Sequence, residues 1–137
     1  MIFVEKVFKE NIDKLLQVNL EVNALLQSEK PDSNTDEDGF SAFQFKIEIL
    51  LTKKDSIINT LKELKEQSES EFTALKGIEY KEIWEKAQEL ENQNLESMKA
   101  FQALLSEGAV GAKMQSKAIF SYKFNKEIKP RLFDDSL

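Results

Sequence analysis

The sequence contains no cysteine and no histidine, and only four glycines and two prolines in 137 residues. Without cysteine there is no disulfide, no thiolate zinc site and no thiol nucleophile. Without histidine there is no histidine general base, no Ser-His-Asp triad and no proximal haem ligand. So few glycines and prolines argue against a turn-rich β-sandwich and against a glycine-looped α/β enzyme. No apolar run approaches the roughly 20 residues needed to span a bilayer. The first residues, Met1 to Lys6, have neither the basic start nor the apolar core of a secretory signal, so a cytoplasmic location is expected.

What remains is a chain with 41% hydrophobic and 32% charged residues, the balance of one folded or coiled-coil domain. Its net charge is -6, unevenly spread. Six basic residues and one acid, Glu127, fall between 108 and 133, so the rest of the chain is strongly acidic. That acidic body makes nucleic acid an unlikely partner, because it repels phosphates. The basic, aromatic-rich end is either a solvated tail or a segment that docks on an acidic surface.

Hydrophobic periodicity predicts helices near 3–28, 40–75 and 80–107. In the first, Val4, Val7, Phe8, Ile12, Leu15, Leu16, Val22, Leu25 and Leu26 share a face. Val18 and Leu20 lie off it, which suggests a helix touching more than one neighbour. In the second, Phe43, Ile47, Leu50, Lys54, Ile57, Leu61, Leu64, Ser68, Phe72 and Leu75 form a heptad-like seam. Lys54 and Ser68 interrupt it as candidate register-fixing residues. A continuous helix of that length would span about 54 Å, so an elongated molecule is expected. In the third, Tyr80, Ile83, Trp84, Ala87, Leu90, Asn94, Leu95, Met98, Phe101, Leu104 and Leu105 form the face. Gly108 and Gly111 follow as terminators.

The expected fold is all-α: an elongated antiparallel three-helix bundle or coiled coil over 1–107. A mobile acidic loop at 29–39 and a short link at 76–79 would connect the helices. Residues 108–137 are expected to be a C-terminal docking segment. Phe120, Tyr122 and Phe124 alternate at strand period, while Met114, Ala118, Tyr122 and Asn125 fit a weak helical face, so a short helix or an induced-fit tail is favoured.

The chemistry-bearing patterns are few. Asn34, Asp36, Asp38 and Gly39 match part of a calcium loop, but Phe45 stands where the bidentate Glu belongs. Glu63, Glu66, Glu69 and Glu71 read as a solvated charged face. Tyr80 and Trp84, at helical spacing, read as core. There is no glycine-rich phosphate loop and no nucleophile elbow. No enzymatic activity, metal, cofactor or small-molecule substrate is expected.

Two stretches carry a family resemblance. LLTKKDSIINTLKELK (Leu50–Lys65) resembles the long middle helix of FlgN-type flagellar export chaperones, with a lysine followed by spaced leucines. AQELENQNLESMKAFQALLS (Ala87–Ser106) resembles their third helix, with Asn92, Asn94 and Leu95 at the matching positions. Val110–Gln115 is similar to the family's glycine-bearing turn, but Val110 replaces its Tyr and Met114 its second Gly. The resemblance covers about half the chain. It implies a small cytoplasmic type III export chaperone that binds the helical C-terminal end of a secreted hook-filament junction protein and hands it to the export machinery. The expected partner-binding residues are Asn94, Met98, Phe101, Leu105, Phe120, Tyr122, Phe124 and Ile128. The chain would be a monomer or a homodimer. Two other classes fit the same patterns: a structural coiled-coil or adaptor protein that self-associates through its seams, and a nucleic-acid or membrane-surface binder using the basic tail.

Overall fold

The computed structural model describes residues 2–28 and 37–108, and every regular element among them is helical. Helix α1 spans Ile2–Gln27, α2 spans Glu37–Gln67, α3 spans Glu69–Ala74 and α4 spans Lys81–Gly108. A π-helical turn, Leu75–Glu79, joins α3 to α4.

This corrects the three-helix expectation. The helix expected over 40–75 is two helices, α2 and α3, separated at Ser68, and the described chain therefore has four. Ser68 takes φ -146° and ψ 59°, far from helical values. The hydrogen bonds on either side survive, Ser68 N–H to the Leu64 carbonyl and Phe72 N–H to the Ser68 carbonyl, both at 2.9 Å. The break therefore leaves neither of these backbone groups unpaired. Local chemistry favours the break there. Glu66, Gln67, Ser68, Glu69, Ser70 and Glu71 supply no apolar anchor; Ser68 and Glu71 have the spacing of a capping box, but the Ser68 side chain makes no cap hydrogen bond. Helix α2 alone, 31 residues, is about 46 Å long.

The expected acidic loop at 29–39 is also shorter than its composition suggested. Glu37, Asp38 and Gly39 belong to the first turn of α2, where the two carboxylates complement the helix dipole. The rest of that loop, with Asn34 and Asp36 of the calcium-like pattern, lies outside the described residues, as does all of 109–137.

Helix α1 is central, packing extensively on both α2 and α4. Cross-links fix the directions. Along α1 and α4, Glu5 meets Tyr80, Phe8 meets Trp84, Asn23 meets Asn94 and Gln27 meets Ser97, so these helices run parallel. Between α2 and α4, Phe43 meets Phe101 and Lys54 meets Glu91, so these run antiparallel. The expected seam is buried from Phe43 to Leu64, Lys54 included, and Phe72 and Leu75 continue it into the corner. Val18 is buried as well, because α1 serves two neighbours and its buried arc is wide. Leu20 stays at the surface.

The corner is aromatic. Phe8 meets Phe72 edge-on at 5.3 Å, stacks on Trp84 at 5.9 Å and lies 5.5 Å from Tyr80. The π turn donates Tyr80 N–H to the Leu75 carbonyl at 2.8 Å, and α4 begins one residue later. At the opposite end Phe101 packs between Phe43, at 5.4 Å, and Phe40, at 6.5 Å.

Candidate functional site

Large apolar side chains are exposed at Phe3, Leu20, Phe45, Ile49 and Ile78, and two places combine such groups, or buried polar ones, with a defined arrangement of neighbours. The first is a buried polar layer midway along the helices. Lys54 of α2 and Glu91 of α4 form an ion pair with both side chains nearly inaccessible to water. Beside it, Asn19 donates through Nδ2 to the Ala87 carbonyl at 3.1 Å. Asn94 donates to the Asn19 carbonyl at 3.0 Å and accepts from Asn23 Nδ2 at 3.1 Å. Glu91 Oε2 and Asn19 Oδ1 are buried with no hydrogen-bond partner among the described residues. The backbones of α2 and α4 scarcely approach each other, so a long lysine and a long glutamate are what span the gap at this level. Asn19, Lys54, Glu91 and Asn94 are all buried among the helices. The layer's chemistry is that of register and pairing rather than catalysis.

The second place is a groove between α1 and α2, about 390 Å³, lined by Glu21, Ala24, Leu25, Lys46, Ile49, Leu50 and Lys53. Ile49 is 41% exposed, and Phe45, one turn before it on α2, is 62% exposed. On α2 the positions 46, 49, 50 and 53 form one stripe at helical spacing, with a lysine at each end and apolar residues between. Lys46 and Lys53 have no ion-pair partner among the described residues.

The sequence-predicted partner-binding residues divide differently. Asn94 and Met98, each 2% exposed, and Phe101 lie inside the core and hold α4 to its neighbours. All three side chains are covered by the chain's own helices. Their periodicity marks the buried face of α4, and the third-helix resemblance does not distinguish that face from a binding one. The side chain of Leu105 and the residues Phe120, Tyr122, Phe124 and Ile128 lie outside the described residues. Lys54 and Trp84, read from the sequence as a seam interruption and as core, are both buried. The groove residues were not anticipated. The signal available was Phe45 and Ile49, two large apolar residues four apart on the side of α2 away from its seam.

Tyr80 is half-buried and donates to Glu5 Oε1 at 2.9 Å. Partial burial pushes its phenol above the ordinary tyrosine range, helped by that hydrogen bond and by the carboxylates of Glu5, Glu79 and Asp13. Among the described residues no group of acidic side chains is arranged to hold a metal ion. None of the described helices is long and apolar enough to cross a membrane. Comparison of the chain with protein families, characterised proteins and solved structures finds no match.

Proposed function

We propose that this chain is a cytoplasmic, non-catalytic protein-binding module that holds an amphipathic helix of a partner, as export chaperones of the flagellar type III pathway hold the C-terminal helices of hook-filament junction proteins. The observation that supports binding is the surface between α1 and α2. There Ile49 lines an apolar groove and stays in contact with water, and Phe45, one turn earlier on α2, is exposed as well. Keeping such side chains exposed favours association, and a groove between two helices is a common seat for a third. The flagellar assignment of the partner rests on the resemblance of Leu50–Lys65 and Ala87–Ser106. Self-association through the heptad seam has less support, because Phe43, Ile47, Leu61 and Leu64 are occupied in the chain's own core.

The test is calorimetric titration of the full-length chain with synthetic C-terminal helices of the hook-filament junction proteins from the same genome. The expected result is one-to-one binding with a negative heat-capacity change, the mark of apolar burial. Absence of binding by every such helix removes the flagellar assignment.

A further inference from the structure

We infer that the α1–α2 groove receives an amphipathic helix with an apolar ridge and two carboxylates seven residues apart, one for Lys46 and one for Lys53. This rests on the reading of the chain as a helix-binding protein and names where, and by what chemistry, the helix is held.

The geometry comes from helical spacing. Lys46 and Lys53 are two turns apart on one stripe of α2, about 10 Å. Ile49 and Leu50 fill the interval, and Leu25 and Ala24 of α1 form the facing wall. The result is an apolar trough two turns long with a cation at each end. A partner helix lying along it repeats the same interval, so residues i and i+7 carry its carboxylates and i+3 and i+4 its apolar contacts. Glu21 is the charge on the α1 wall, and it favours a basic residue on the partner's other edge.

Charge selects this occupant over others. The chain is acidic overall, with net charge -6, yet both lysines on this stripe lack an ion-pair partner among the described residues. A carboxylate from outside satisfies them, whereas the chain's own basic segment, residues 108–133, does not. A second copy is disfavoured by size: a trough two turns long falls far short of the roughly 2,000 Å² that obligate homodimers bury.

The experiment uses the full-length chain and two synthetic helical peptides of about 18 residues, five turns. One carries a leucine ridge with Glu at i and i+7 on one edge and Lys on the other; the second has the edge charges exchanged. The expected result is that the first binds at least tenfold more tightly. The double variant Lys46→Glu/Lys53→Glu should reverse that order, and Phe45→Ser/Ile49→Ser should weaken both peptides, with unchanged thermal unfolding in each case. Equal affinity for the two peptides, or no binding of either, overturns the proposal. So does binding to phosphatidylglycerol vesicles with no binding of peptide, or a dimer in sedimentation that Phe45→Ser/Ile49→Ser abolishes. If a junction-protein helix binds both double variants as tightly as the unaltered chain, this groove is not the seat although the chaperone reading stands. If the peptides bind as expected and no junction-protein helix does, the groove stands and the flagellar assignment fails.

Discussion

The aromatic corner and the polar layer hold the same helices by opposite physics. At the corner, Phe8, Phe72, Tyr80 and Trp84 join α1, α3 and α4 through rings 5.3 to 5.9 Å apart. That adhesion is strong and adaptable, since apolar contact depends on area and shape rather than on paired atoms. At the polar layer, Lys54, Glu91, Asn19 and Asn94 join α1, α2 and α4 through specific donors and acceptors. A shift of one helix by a residue keeps much of the first arrangement and destroys the second. The corner is therefore expected to weigh more in stability and the layer more in discrimination among registers.

The largest expected effect breaks the corner. Phe8→Ala removes the ring that touches three others and should cost about 3–5 kcal/mol, read as a lower denaturant midpoint. A loss below about 1 kcal/mol would mean that the corner is not the stabilising region.

Next comes the ion pair. Lys54→Met leaves Glu91 buried without its cation and should cost about 3 kcal/mol. The double variant Lys54→Met/Glu91→Leu should recover most of that loss in urea unfolding. Recovery in stability together with a loss of sharp, dispersed nuclear magnetic resonance signals would locate register control in this layer. If the double variant is as unstable as the single one, the pair stabilises the fold in its own right.

A smaller loss is expected from Asn94→Ala, which removes one donated and one accepted hydrogen bond between α1 and α4. It should cost about 1–2 kcal/mol in thermal unfolding. The same substitution at the exposed Asn92 should change little, and equal effects would show that the asparagine ladder is inert.

The smallest effect has the opposite sign. Gly77, in the π turn, has open space around the position of an added Cβ. Gly77→Ala should therefore stabilise the protein by about 0.4–1 kcal/mol through the unfolded state. A destabilised variant would show that the turn needs glycine's freedom after all.

Much of this architecture was legible in the sequence. The four- and three-residue steps from Phe43 to Leu64 mark a helix with one buried face, and that face is buried. Lys54 stood out as a polar residue on an apolar seam. Its partner did not, because Glu91 reads as one more carboxylate on a helix already rich in them, alongside Glu82, Glu85, Glu89 and Glu96. Only the placement of α4 opposite Lys54, where the two long side chains meet across the gap, singles it out. The break at Ser68 was legible only as a run of polar residues, Glu66 to Glu71, with no apolar anchor, because the capping-box spacing of Ser68 and Glu71 forms no cap hydrogen bond. Read within an unbroken periodicity, the serine looked like a tolerated polar residue in a longer helix. Asn94, Met98 and Phe101 were correctly placed on the apolar face of α4, but that pattern does not tell a face that meets α1 and α2 from one that awaits a partner.

The all-α class and the buried stripe of α2 follow from the sequence by itself, because helical periodicity is a local property that each segment carries alone. So does the absence of thiol and imidazole chemistry, which is a matter of composition. The tertiary structure decided which helix lies at the centre, where the long seam bends, which glutamate meets Lys54 and which apolar residues are left on the surface. Each of these depends on how close two distant segments come. That distance is set by the packing of all the helices together, and no single segment encodes it.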